Sequence, residues 1–196
     1  MSRQPNRLQL RRRPGSSAFT GSAVKASVFI GTSLDGFIAR LNDELDFLPE
    51  DPEPHGFTEF FASVDALVIG RRTFEKVLTF GSWPYGDKRV VILSSRPVDL
   101  SKAVGGVVEH MSGPPEELVS QLAAKGVQHA YVDGGVTIQR FLRAGLIQRL
   151  IITRVPVLIG EGIPLFSTLP HDIRLRHIAT RSYASGLVQS EYDVLI

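Results

Sequence analysis

Residues 130–142 read AYVDGGVTIQRFL. Ala130, Tyr131 and Val132 form a short apolar run suited to a buried strand. Val136, Ile138, Phe141 and Leu142 recur at helical spacing. Gly134 and Gly135 stand between them, so the stretch predicts a strand, a glycine turn and a helix. A glycine pair there permits backbone angles and close approaches that a Cβ forbids. It also presents unpaired N–H groups at a helix start, where anions are attracted. Two readings follow: a cradle for a phosphorylated ligand, or a tight strand-to-helix turn with no ligand.

The same grammar recurs outward from this stretch. Residues 66–69 (ALVI) predict a buried strand ending in Gly70-Arg71-Arg72-Thr73, then a helix carrying Phe74, Val77 and Leu78. Thr73 suits a helix cap, and paired arginines at a strand end suit a phosphate monoester. Residues 90–93 (VVIL) predict another strand, followed by Ser94-Ser95-Arg96-Pro97. Residues 26–30 (ASVFI) predict the first strand, which leads through Gly31-Thr32 to the turn Asp35-Gly36. A short helix is expected over 56–63, a strand over 107–109 and a helix over 115–125. That last helix has Pro115 at its start, Glu116 and Glu117 in its first turn and Gly126 past its end. Residues 150–155 (LIITRV) predict a strand, and 175–182 with 187–195 an antiparallel hairpin.

Strands alternating with helices and closed by a hairpin predict an α/β domain. Its central sheet should be mainly parallel with an antiparallel C-terminal edge. In such sheets ligands bind beyond the carboxyl ends of the strands. Three of those ends carry Gly-Arg-Arg-Thr, Ser-Ser-Arg and Gly-Gly, so their convergence on one crevice is the main functional expectation.

Charge narrows the class. The formal net charge is +2, but five arginines precede residue 24 without any acid. Without them 17 basic residues face 20 acidic ones, which disfavours a nucleic-acid-binding body. Residues 1–24 read as a disordered basic tail, with an organelle transit peptide as the alternative. No stretch is long and apolar enough to span a membrane. No cysteine is present, which fits the cytoplasm and leaves no thiolate metal site. The five histidines lack metal-ligand spacing, so no metal is expected. Residues 42–54 hold three prolines and six acids and suit a surface loop or an active-site cover.

Taken in order, five stretches resemble the dihydrofolate reductase superfamily. They are Ser33-Leu34-Asp35-Gly36-Phe37-Ile38-Ala39, Val68-Ile69-Gly70-Arg71-Arg72-Thr73-Phe74, Val91-Ile92-Leu93-Ser94-Ser95-Arg96, Val132-Asp133-Gly134-Gly135, and the run from Pro156 through Gly160-Glu161-Gly162 to Phe166. The closer likeness is to the C-terminal reductase domain of the bifunctional riboflavin-biosynthesis deaminase–reductase and its stand-alone relatives, over residues 25–196. The resemblance implies a three-layer α/β/α fold and a cytoplasmic, NADPH-dependent reductase acting on a pyrimidine- or pteridine-like heterocycle. The implied reaction is hydride transfer to a C=N or C=O bond, as in 5-amino-6-(5-phosphoribosylamino)uracil reductase. A dihydrofolate or pterin reductase and a non-catalytic NADPH-binding module are the alternatives.

In the residues that match, the resemblance implies that Gly70, Arg71, Arg72 and Thr73, with Leu93, Ser94, Ser95 and Arg96, hold the adenosine phosphates. Gly134, Gly135, Val136 and Thr137 take the pyrophosphate across a Gly-Gly peptide that is commonly cis in the family. Ile30, Gly31, Thr32, Asp35 and Ile38 line the nicotinamide and substrate pocket. The catalytic carboxylate is Asp51 or Glu59, with Thr153 near the substrate. Residues 156–166 are apolar, are expected at a sheet edge and predict a homodimer, as in the riboflavin-type relatives.

Overall fold

The computed structural model describes residues 24–49, 54–103 and 106–195. The tail expected over 1–24, all but its last residue, and Asp51 lie outside the described residues. Eight strands form one sheet in the order β5-β4-β3-β6-β1-β7-β10-β9. β1 (Lys25–Ser33), β3 (Ala66–Gly70), β4 (Arg89–Leu93), β5 (Val108–Met111), β6 (His129–Asp133) and β7 (Arg149–Val155) are parallel. β9 (Arg174–Ser182) and β10 (Val188–Leu195) add the expected antiparallel hairpin.

The central strands read as unbroken apolar runs because both faces of the sheet are covered. α1 (Phe57–Ala62) and α2 (Arg71–Val77) pack on one face, where Phe60, Phe74 and Val77 meet Phe29, Leu67, Ile69 and Ile92. α3 (Pro115–Ala124) and α4 (Gly135–Arg143) cover the other, where Leu118, Leu122, Ile138 and Phe141 meet Val28, Val68 and Val91. The three-layer arrangement therefore follows from alternate residues of each strand facing opposite sides.

Two expectations are corrected. β1 runs on to Ser33 rather than ending at Ile30, because β7 pairs along its length, Gly31 opposite Thr153 and Ser33 opposite Val155. Residues 156–166 do not form a sheet edge. Their Ile163–Pro164 (β8) pairs with Phe37–Ala39 (β2) in a separate two-stranded ribbon. Gly162 makes this possible, since a Cβ there would stand 2.4 Å from the Ala39 carbonyl oxygen. Leu165 is buried beneath the ribbon, whereas Leu158 is 69% exposed. The edges of the main sheet are β5 and β9.

Candidate functional site

β1, β3, β4 and β6 end at one cavity of about 400 Å³. Ile30 and Gly31, Gly70, Leu93 and Asp133 reach it from those strand ends. The β2–β8 ribbon adds Ile38, Ala39 and Ile163, and α2 adds Thr73, Lys76 and Val77. Asp43, Leu45 and Leu48 wall it from the segment 41–49. Two of the three expected strand ends, Gly70–Thr73 and Gly134–Thr137, meet at the cavity; of the third only Leu93 reaches it, and Ser94-Ser95-Arg96 do not.

The glycines at these turns bring two helix starts together. Gly134 has φ +92, and a Cβ on it would lie 2.5 Å from Thr73 Oγ1. A Cβ on Gly70 would lie 3.0 Å from Thr137 Oγ1, and one on Gly135 would lie 3.1 Å from both Ile38 and Ile163. The close approach that requires glycine is thus made by the protein itself. The Gly134–Gly135 peptide is trans, contrary to the cis bond that the resemblance implied.

No side chain caps α4. Ile138 is the first residue of this turn whose N–H returns to the helix, donating to the Gly134 carbonyl at 2.9 Å. The N–H groups of Gly135, Val136 and Thr137 are left at the cavity without an intrahelical acceptor. The positive end of the helix dipole points the same way, so this turn suits an anionic oxygen.

Four cationic side chains line the same cavity. Arg71 donates to Glu75 at 3.0 Å, and Arg140 donates to the Gly113 carbonyl at 2.8 Å. Arg72 reaches Asp43 Oδ2 through Nη2 at 2.6 Å and through Nε at 3.0 Å. That pair ties the 41–49 segment to the start of α2. Asp43 holds φ +65, a backbone state that costs a non-glycine residue energy. The Lys76 ammonium has no acceptor among the described residues.

Asp133 supplies a second carboxyl group of the cavity, at the strand end rather than in the 41–49 wall. Its Oδ1 accepts the Gly134 N–H at 2.7 Å. Burial pushes its pKa up to about 6, against the lowering effect of that hydrogen bond. Tyr85, buried beside it, has its ionisation pushed upward by burial and then by the Asp133 charge.

Other candidates lie elsewhere. Ser94 Oγ closes a local turn with the N–H and carbonyl of Arg96, and Ser95 and Arg96 are exposed beyond the cavity wall. Thr32 is buried within β1. Asp35 is exposed, and its carboxylate accepts the N–H groups of Gly160 at 2.8 Å and Ile159 at 3.3 Å. Its pKa is held low, chiefly by a hydrogen bond with Ser33. Thr153 Oγ1 accepts from Gln189 Nε2 at 3.0 Å, and the same amide group donates to the His55 carbonyl. Glu59 lines a second cavity of about 250 Å³ between α1 and strands β7, β10 and β9. Among the described residues no helix is long and apolar enough to cross a membrane, and no group of side chains could hold a metal ion.

Sequence reasoning passed over Asp133, Lys76, Tyr85 and Arg140. Asp133 had a visible signal, a lone carboxylate between a buried strand and Gly-Gly. Lys76 had a weaker one, one helical turn beyond Thr73. Nothing local marked Tyr85 or Arg140, because tertiary packing brings them to the cavity.

Comparison with known proteins agrees with this architecture. YwjB of Bacillus subtilis, an uncharacterised protein, is 31% identical over 176 residues, which span 86% of this chain and 97% of YwjB. A protein of Shewanella sp. PV-4, assigned provisionally to riboflavin biosynthesis, has a crystal structure that superposes with TM-score 0.81 at 38% identity. The match covers 88% of this chain and 100% of that one. Dihydrofolate reductase from Enterococcus faecalis, solved in complex with NADP(H), superposes with TM-score 0.59 at 20% identity, over 88% and 95% of the two chains. The fold is that of the dihydrofolate reductases. Residues 25–189 match the family model of the RibD C-terminal domain, and the chain belongs to that family.

Proposed function

We propose that this chain is a cytoplasmic NADPH-dependent reductase that reduces the open-chain ribosyl C=N bond of 5-amino-6-(5-phosphoribosylamino)uracil or a close pyrimidine relative. The observation that carries the reading is the meeting, in one cavity, of an uncapped helix start, a rim of cationic side chains and a buried carboxyl group.

The donor set fits a dinucleotide phosphate. Gly134–Thr137 would hold the pyrophosphate with backbone N–H groups. Arg71 and Arg72 would take the adenosine 2′-phosphate, Arg72 exchanging its Asp43 partner for it, with Ser94–Arg96 at the outer end. Ile30, Gly31 and Ile38 would pack against the nicotinamide. When bound, the cofactor supplies a hydride. The protein's part is to seat the imine carbon close by, exclude water and move a proton.

Asp133 is the proton carrier in this scheme. A carboxyl group with a pKa of about 6 still keeps roughly a tenth of its molecules protonated at pH 7, far more than an unperturbed aspartate, and that form can give its proton to the imine nitrogen as the hydride reaches carbon. The two additions together convert C=N to CH–NH and leave Asp133 ionised, to be reprotonated from solvent. A folate substrate is disfavoured, because the described carboxylate of α1, Glu59, opens on the second cavity.

The working unit we propose is a homodimer. The premise of a 156–166 sheet edge is replaced by β9, an edge strand with Leu175 and Ile178 exposed. Such an edge invites strand pairing with a second copy.

NADPH fluorescence titration, followed by loss of nicotinamide absorbance with 5-amino-6-(5-phosphoribosylamino)uracil, tests the reading. Binding with oxidation supports it. Binding without oxidation of any pyrimidine or pterin points to a nucleotide-binding module, and no binding at all removes it.

A further inference from the structure

The turn Leu78–Phe80 and the segment 81–88 join α2 to β4, and no role for them follows from the sequence motifs. They bring Tyr85 to the cavity floor. Tyr85 is only 8% exposed, with its ring held edge-on against Trp83 at 5.2 Å within the cluster of Phe74 and Val77. Buried hydroxyls are ordinarily hydrogen-bonded. Tyr131 next to it obeys the rule, donating to the Phe29 carbonyl at 2.8 Å. The Tyr85 hydroxyl bonds to no described residue and opens on the cavity, whereas the buried side-chain polar atom without a partner among the described residues is Trp83 Nε1.

Its surroundings limit what it can meet there. Leu45, Leu48, Val77 and Phe80 are among the apolar walls of the cavity, which suit the faces of a flat ring. Burial and the Asp133 charge keep Tyr85 in its phenol form, so it acts as a hydrogen-bond donor. Asp133 is a hydrogen-bonding group of a different kind at the same end of the cavity. A planar ligand that satisfies both carries an acceptor oxygen toward Tyr85 and a nitrogen toward Asp133. A ligand that covers this hydroxyl without offering an acceptor leaves it buried and unpaired, so the site disfavours ligands that lack the matching acceptor.

We propose that Tyr85 is a specificity-determining residue of the acceptor subsite, donating its phenolic hydrogen to a ring carbonyl oxygen of a uracil-type substrate. The assignment rests on reading this cavity as the reductase site, with the hydride donor on the β1 side.

The test is calorimetric and needs no turnover. Wild-type protein and the Tyr85→Phe variant are saturated with NADP+, which has no hydride to give, and titrated with 5,6-diaminouracil. The variant should bind at least about tenfold more weakly, the loss expected when a buried donor–acceptor pair is broken. Its NADP+ affinity and melting temperature should match those of the wild type. 5,6-Diaminopyrimidine, which lacks the carbonyls, should bind both proteins alike. Repeating the titration without cofactor reads Tyr85 even where the cofactor assignment fails. Three outcomes overturn the proposal: equal uracil affinities, no uracil binding by the wild type, or a variant that loses NADP+ affinity. The last would place Tyr85 on the cofactor. None of the three contradicts NADPH-dependent reduction itself, which fails only if NADPH is neither bound nor oxidised.

Discussion

Asp133 and Gly134 are neighbours in sequence with separate duties. As the proposed proton donor Asp133 must be protonated to act, and burial raises its pKa to about 6. Activity that depends on it is therefore present below that value and lost as pH rises through it. The expected profile of kcat/KM declines above about pH 6, by about tenfold per unit in its linear limb. The Asp133→Asn variant should lose that limb together with most of kcat while still binding NADPH. An unchanged profile in the variant would assign the proton to another group. Gly134 answers to packing. Its φ of +92 and the 2.5 Å approach of Thr73 Oγ1 leave no place for a methyl group. Gly134→Ala should destabilise the fold by about 2 kcal/mol or more in urea titration. A change within about 0.5 kcal/mol, ordinary for an unconstrained surface site, would contradict this. The glycine pair was legible in sequence because it interrupts a strand-to-helix unit within a few residues. What it packs against was not, since Thr73 and Ile163 arrive from distant segments.

Among the elements, the 41–49 segment and the start of α2 hold the cofactor question. Charge-assisted contacts to a 2′-phosphate are worth roughly 1.5–3 kcal/mol each. The double change Arg71→Ala, Arg72→Ala should therefore weaken NADPH far more than NADH, and equal losses would refute the phosphate assignment. Arg72 is already paired with Asp43, so phosphate binding is an exchange of one anion for another. Asp43→Asn should accordingly tighten NADPH several-fold and leave NADH nearly unchanged in fluorescence titration. Weaker NADPH binding in that variant would mean that Asp43 positions Arg72 for the cofactor. The strand–glycine–helix units at 66–73 and 130–142 were readable because apolar runs and glycines lie side by side in the chain. The β2–β8 ribbon was not readable, because it joins residues more than a hundred positions apart and has no periodicity of its own. Helical spacing likewise put Phe60 in the core, yet it gave no sign that Glu59 would open on the second cavity.

For the whole molecule, the layers and the hairpin were implied by the alternation of elements, whereas the position of the exposed edge was not. Apolar character marked 156–166 as an edge, but Leu165 is spent on the protein's own core. β9 is left with Leu175 and Ile178 exposed. Light scattering at micromolar concentration should give twice the 21.5 kDa of one chain. The double change Leu175→Asp, Ile178→Asp should return it to a single chain without loss of fold. A mass of 21.5 kDa at every concentration would contradict the dimer.

The central claim is that the cavity at the strand ends carries out hydride transfer with Asp133 as proton donor. Single-turnover absorbance with NADPH and 5-amino-6-(5-phosphoribosylamino)uracil tests it most directly. The account predicts stoichiometric loss of the nicotinamide band in the wild type. In Asp133→Asn the loss should be at least about a hundredfold slower, the usual contribution of a positioned general acid. Saturable NADPH binding with no loss of the band, or equal rates in the two proteins, would contradict it.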